Sequence, residues 1–229
     1  MKYSFVLPCL NEENSLPGVI SEIKEAIDKY NLNAEILISD NGSTDRSIEI
    51  SKENGCRVCN CEKKGYGNAL ICGTKNASGD YLFMLDSDGS YSLQNLKFFL
   101  DKIDEGYEFI SGNRYKGGIE KGAMSLSHWV GVKGLSMFGN MFFHTPIKDW
   151  HCGLRGYKRE LFKDINWISS GMEYASEMII RAKKRGMKMC EVPTILRPDT
   201  RGRKPHLRTI RDGLRHVNLI TKMFIKGEK

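Results

Sequence analysis

The chain opens on a mainly apolar run, YSFVLPCL from Tyr3, of the kind that a strand covered on both faces requires. Behind it Leu16, Val19, Ile20, Ile23 and Ile27 recur at intervals of three and four. That spacing predicts a helix, with Ser15 at its N-cap and Pro17 in its first turn. The alternation then repeats. AEILISD predicts a second strand, STDRSIEISKEN a second helix closed by Gly55, and CRVCNC a short third strand. A helix over Ala69 to Asn76 follows the turn KKGYGN. The strand YLFMLD, the helix LQNLKFFLDKIDEG and the strand YEFISGNR come next. Strands alternating with helices predict an α/β domain, with a mainly parallel central sheet and helices on both faces. Past Gly117 the alternation gives way to Gly-, Met- and aromatic-rich sequence. After Trp150 come GLRGYKRELFKDI, GMEYASEMIIRAKKRG, the short strand KMCEVPTIL and a basic tail. No linker, low-complexity tract or internal repeat intervenes, so this half is expected to continue the same domain.

Parallel sheets bind ligands outside the carboxyl ends of their strands. Pro8 to Glu13, Asp40 to Thr44 and Asp86 to Gly89 all fall there, and they are the most polar loops of the first half. In FMLDSDGSY the chain turns at the strand end, which lets Asp86 and Asp88 converge on one hard divalent cation, Mg2+ or Mn2+. The plainer alternative is a capped turn, since Asp, Ser and Gly favour turns for local reasons. Asp40 is a candidate hydrogen-bond acceptor for a nucleobase or ribose, and Asp45 a cap for the next helix. KKGYGNA brings backbone amides, Gly65, and Lys63 or Lys64 to the same edge, where a helix N-terminus favours anions.

Net charge changes the picture by suggesting an acidic partner: 35 Lys and Arg against 28 Asp and Glu leave +7. The cations concentrate in the last third and no nucleic-acid motif accompanies them, so nucleic acid is not the expected partner. No apolar run approaches the roughly 18 to 20 residues of a membrane-spanning helix, and the start lacks a secretory apolar region. A cytoplasmic protein is the expectation. Seven scattered cysteines predict reduced thiols. CRVCNC (Cys56, Cys59, Cys61) is also a candidate half of a zinc site, to be completed by His151 and Cys152, against the alternative of ordinary buried thiols. Glu173 and Glu177 stand one turn from basic neighbours such as Arg181 in a helical segment. From His206 to Lys226, apolar Leu207, Ile210, Leu214, Val217, Ile220 and Phe224 recur against Arg208, Arg211, Arg215, Lys222 and Lys226. This predicts a basic amphipathic helix, either lying in a membrane interface or packed on its own domain.

LPCLNEEN, ILISDNGSTDRS, KKGYGNAL, GDYLFMLDSDGSY and FISGNRY, in this order and spacing, resemble the inverting family 2 glycosyltransferases of the GT-A fold. FGNMFF, DWHCGLRGYKRELF, GMEYASEMIIRAKKRGMKMCEVP and RGRKPHLRTIRDGLRH are similar to the polyprenyl-phosphate glycosyltransferases, which include dolichyl-phosphate mannose synthase. The resemblance implies a GT-A catalytic domain over 1–205 and an appended helix over 206–229. It implies transfer of a sugar from a nucleotide-diphosphate sugar to a polyprenyl phosphate, on the inner face of the membrane or beside a membrane-protein partner. Pro8, Asn11, Glu12 and Asp40 would surround the nucleoside, and Asp86 and Asp88 would ligate Mg2+ or Mn2+ through the diphosphate. Arg114 would hold the acceptor phosphate, and Arg201, Arg203 and Lys204 would close over the donor phosphates. Two positions depart from the pattern: Ser90 stands where the family often has Gln, and Val132, beside Lys133, where it often has Arg ahead of Ser136 and Asn140. Lys133 and Ser136 stay candidates on the acceptor side. Transfer to a sugar hydroxyl in polysaccharide synthesis would instead need a base, for which Asp149 and Glu177 are candidates. A non-catalytic nucleotide-sugar-binding module is the remaining alternative.

Overall fold

The computed structural model describes residues 1–202 and 209–227, without the side chains of 209 and 210. Arg203, Lys204, Leu207 and Arg208 lie outside the described residues, as does the side chain of Ile210. The predicted alternation is present as β1 (Tyr3–Cys9), α1 (Leu16–Lys29), β2 (Ala34–Asp40), α2 (Ser47–Glu53), β3 (Arg57–Asn60) and α3 (Tyr66–Asn76). It continues through β4 (Tyr81–Met84), α4 (Leu96–Asp104) and β5 (Phe109–Asn113) to a short helix α5 (Arg114–Gly117). The second half contributes α6 (Leu126–Phe143), β6 (Arg155–Lys158), α7 (Tyr174–Lys184), β7 (Met189–Pro193) and α8 (Thr209–Ile225).

These strands form one seven-stranded sheet in the order β3-β2-β1-β4-β6-β5-β7. β1, β2, β3 and β4 run parallel, and β5 pairs in parallel with β7. β6 lies between β4 and β5, antiparallel to both. No local pattern predicts β6, because RGYK is four residues long and carries Arg155 at its start. Full burial of that guanidinium is possible because it donates to the carbonyls of Trp150, Cys152 and Ala175.

Apolar side chains on alternate strand positions fill two cores, one on each face. Phe5, Leu7, Ile38 and Phe83 meet α1 and α4 on one side. Val6, Leu37, Leu82 and Met84 meet α3, α7 and α8 on the other. α6 was not legible as a helix because its buried stripe is narrow and mixed, consisting of Val132, Ser136, Gly139 and Phe143. A Cβ at Gly139 would come within 2.5 Å of the Trp150 ring, so glycine lets the helix lie directly on the indole. α8 packs on the domain through His216, Leu219, Ile220 and Met223, and the Phe224 ring meets Phe142 in a tilted contact at 4.7 Å between ring centroids. The packed alternative for the tail therefore holds for this face. Leu214 and Val217 of α8 remain exposed, as do Leu126, Val130, Met137 and Met141 of α6. Among the described residues, no helix is long and apolar enough to cross a membrane.

Candidate active site

The loops leaving β1, β2 and β4 are joined by short polar contacts. Asn41 N donates to Cys9 O at 2.9 Å, and Asn11 N to Ser43 Oγ at 2.9 Å. Asn11 sits at φ 58°, a left-handed conformation asparagine tolerates, and this aims its Oδ1 at Thr44 N, 2.7 Å away. Ser87 Oγ donates to Pro8 O at 2.7 Å, and Ser15 Oγ to Ser87 O at 2.8 Å. Ser15 does occupy the N-cap position, but its hydroxyl serves the acidic loop instead of α1. The buried Asp40 carboxylate accepts from Gly42 N and Ser43 N. Asp45 accepts from Ser47 N and Oγ but stands one residue ahead of Arg46, which holds the N-cap position of α2, so the expected cap is displaced by one residue. Asn41 accepts from Gly65 N at 2.7 Å and Lys64 Nζ donates to Asn41 O at 2.7 Å, so the KKGYGNA turn is held against the end of β2. Gly65 has φ 125°, and a Cβ there would meet Ser170 O at 2.2 Å. Only glycine fits that turn.

Asp86 and Asp88 follow β4 directly. Tyr66, the first residue of α3, donates its hydroxyl to Asp86 Oδ1 at 2.8 Å. On the other side Gly153 closes in so tightly that a Cβ would stand 2.5 Å from Asp86 Oδ2. Burial, and then the charge of Asp88, push the Asp86 carboxyl up to about 7. Two crowded carboxylates with incomplete counter-charge are a fit for a hard divalent cation, and an all-oxygen donor pair matches Mg2+ or Mn2+. Asp88 Oδ1 accepts from Ser90 N at 2.9 Å, so Ser90 fixes the turn where the related pattern has Gln. Asp88 Oδ2 forms an ion pair with Arg201. Arg201 also lies 3.9 Å from Glu12 Oε1 and 3.2 Å from Asp199 Oδ1, and Thr200 N donates to Asp88 O at 2.9 Å. The chain thus returns after more than a hundred residues to lay the Arg201 guanidinium across the acidic edge. Arg203 and Lys204 fall outside the described residues.

Arg114 and Asp149 are both buried and joined three times: Arg114 N and Nε donate to Asp149 Oδ2 at 3.0 and 2.8 Å, and Nη2 to Oδ1 at 2.7 Å. This bidentate pair fixes Arg114 at the start of α5 and engages both oxygens of Asp149. Ser136, expected among the catalytic residues, is buried. Its Oγ donates to Val132 O and accepts from Trp150 N, so the hydroxyl joins α6 to the Trp150 segment. Lys133 is exposed and lies over the Trp129 ring at 4.6 Å, where it remains available to an anion. Glu177 accepts from the backbone of Ile168 and Ser169 and pairs with Arg181, and Glu173 pairs with Arg215 of α8. Both have structural roles. His151 contacts His216 and Cys152 approaches Leu154 O. The thiols that gather are instead Cys59, Cys61 and Cys72, so the proposed union of CRVCNC with His151 and Cys152 is not formed. Neither Tyr66 nor Gly153 carries a local signal of its contact with Asp86. Tyr66 stood inside the quoted KKGYGNAL, but its partner lies 20 residues away.

Comparisons with known proteins agree with this architecture. The model of the glycosyl transferase family 2 matches residues 4–166. The chain is 34% identical over 219 residues to the low-salt glycan biosynthesis hexosyltransferase Agl6 of Haloferax volcanii, covering 95% of this chain and 52% of that protein. It is 32% identical over 189 residues to the dolichyl-phosphate hexose transferase of the same organism, covering 82% of this chain and 79% of the relative. The chain therefore spans about half the length of the first of these relatives and most of the second. Mannosyl-3-phosphoglycerate synthase from Rubrobacter xylanophilus shares the fold, with a TM-score of 0.76 at 20% identity over 99% of this chain and 75% of that one. So does glucosyl-3-phosphoglycerate synthase from Mycobacterium tuberculosis, crystallised with Mn2+, UDP and glucosyl-3-phosphoglycerate, at a TM-score of 0.69 and 20% identity over 98% and 77%. With the site's loops in the family's order and the family model spanning most of the chain, the protein belongs to the glycosyl transferase family 2.

Proposed function

We propose that the protein transfers a sugar from a nucleotide-diphosphate sugar to a polyprenyl phosphate at a membrane surface. The observation that carries the reading is the meeting of Asp86, Asp88, Glu12 and Arg201 where three strand-end loops converge. Asp86 and Asp88 would hold Mg2+ or Mn2+, which when bound stabilises the charge developing on the leaving diphosphate. Arg201 would exchange its carboxylate partners for diphosphate oxygens, for which its planar fork is suited. Pro8, Asn11, Asp40 and Gly65 line the edge on which the nucleoside would rest. In the transfer, the bond from the anomeric carbon to the diphosphate oxygen breaks as one to the acceptor oxygen forms on the opposite face. A lipid monophosphate is already anionic near neutral pH, so no strong base is required and alignment becomes the main task. The engagement of Asp149 and Glu177 in ion pairs favours such an acceptor over a sugar hydroxyl.

The exposed apolar residues of α6 and α8 support peripheral membrane contact, and one relative is itself named a dolichyl-phosphate hexose transferase. Incubation with labelled nucleotide sugars, Mn2+ and vesicles containing polyprenyl phosphate tests the reading. The expected result is lipid-extractable label, lost on chelation and in Asp88→Ala. Label found only in water-soluble or polysaccharide products would overturn the lipid acceptor. Donor binding without transfer to any acceptor would favour a binding module.

A further inference from the structure

β3 is the edge strand of the sheet, and its side chains facing α3 carry sulfur. Ser39 of β2 and Cys59 of β3 are register partners, so both project to one face, and Cys61 lies two residues further on the same side. α3 rests unusually close above them, because Gly73 has no Cβ. A methyl there would stand 2.4 Å from Val6 Cγ1 and 3.2 Å from Ser39 Cβ. The close approach carries Cys72 to within 4.0 Å of Cys59, Sγ to Sγ, and all three thiol sulfurs lie within 4.8 Å of one another. Ser39 Oγ adds an oxygen 3.0 Å from Cys61 Sγ and 3.6 Å from Cys59 Sγ.

Three sulfurs bound to one ion at about 2.3 Å stand roughly 3.8 to 4.0 Å apart in tetrahedral or trigonal geometry. The cluster therefore needs shifts of less than an ångström to close on a cation. We propose that Cys59, Cys61 and Cys72 form a thiolate metal site, separate from the Asp86 and Asp88 carboxylates, that takes a thiophilic d10 cation of the zinc class. The fourth position belongs to water or to the Ser39 hydroxyl. Cys59 and Cys72 are partly accessible, which leaves a route in from solvent. Bound there, the ion would pin α3 to the sheet edge about 9 Å along the helix from Tyr66, the residue that orients Asp86.

The test uses the reduced, metal-free full chain titrated with Cd2+ and read by the ultraviolet thiolate-to-cadmium charge-transfer band. The expected result is saturation at one equivalent, competition by Zn2+ but not by Mg2+, and Zn2+ protection of three of the seven cysteines from a thiol reagent. Cys72→Ser should weaken Zn2+ at least about tenfold, and Cys190→Ser should leave the titration unchanged. Absence of a stoichiometric band in the wild-type chain would overturn the site. So would an undiminished band in Cys72→Ser, or a Cys59–Cys72 disulfide that forms at the same rate with and without Zn2+.

Discussion

Replacing Asp149 by alanine should cost more stability than any other single change at the site. The carboxylate is fully buried, the Arg114 side chain beside it is 5% exposed, and three hydrogen bonds join them. Removing Asp149 strands a guanidinium in a region water does not reach, and breaking a buried pair in this way costs about 3–5 kcal/mol. Against a domain stability of about 5–15 kcal/mol, that loss is a large share of the total. At about 2–4 °C per kcal/mol for a chain of this size, the melting temperature should fall by roughly 6–20 °C. Urea unfolding of Asp149→Ala, Arg114→Met and the double variant Arg114→Met/Asp149→Leu forms the assay. The double variant should lose less than Asp149→Ala alone, because no unpaired charge remains. A loss below about 1 kcal/mol in Asp149→Ala, or a double variant as unstable as the sum of the singles, would refute the argument. Arg114→Lys probes a second role: a rise in acceptor KM larger than its stability loss explains would return Arg114 to phosphate contact.

Tyr66→Phe removes the hydroxyl that donates to Asp86, and it should lower stability by about 1 kcal/mol and weaken Mn2+ binding, read by calorimetric titration. His216 is buried, with its titration pushed down to about 4 by burial. It contacts His151 and Ser176, and its other charged neighbours are Glu173, Asp212, Arg155 and Arg215. Its folded pKa lies below the unfolded value near 6.5, so its contribution is complete above about pH 6.5 and is lost as pH falls towards 4, by up to about 3 kcal/mol. The difference between wild type and His216→Leu in melting temperature across that window isolates the term, and parallel profiles would refute it. Met137→Glu or Leu214→Glu should reduce vesicle co-sedimentation with melting temperature changed by no more than a degree or two, since both side chains are more than 60% exposed.

Strands β1 to β5 and helices α1 to α4 were legible because each rests on a local period, and the binding edge followed from parallel order alone. Asp86 and Asp88 could be singled out on that basis. The DxD pair, the strand-end asparagines and the turn glycine stand more than twenty residues apart, but each follows a strand that its own local pattern marks, so parallel order places them on one edge. The insertion of β6 antiparallel between β4 and β5 depends on three backbone carbonyls receiving Arg155, which no periodicity reports. Ser136 matched its expected segment, yet burial under Trp150 gave its hydroxyl a structural task. The partners of Arg114, Arg201 and Cys72 were likewise decided by tertiary structure, because charges and thiols interact through distance in space, and their partners lie 35, 113 and 13 residues away along the chain.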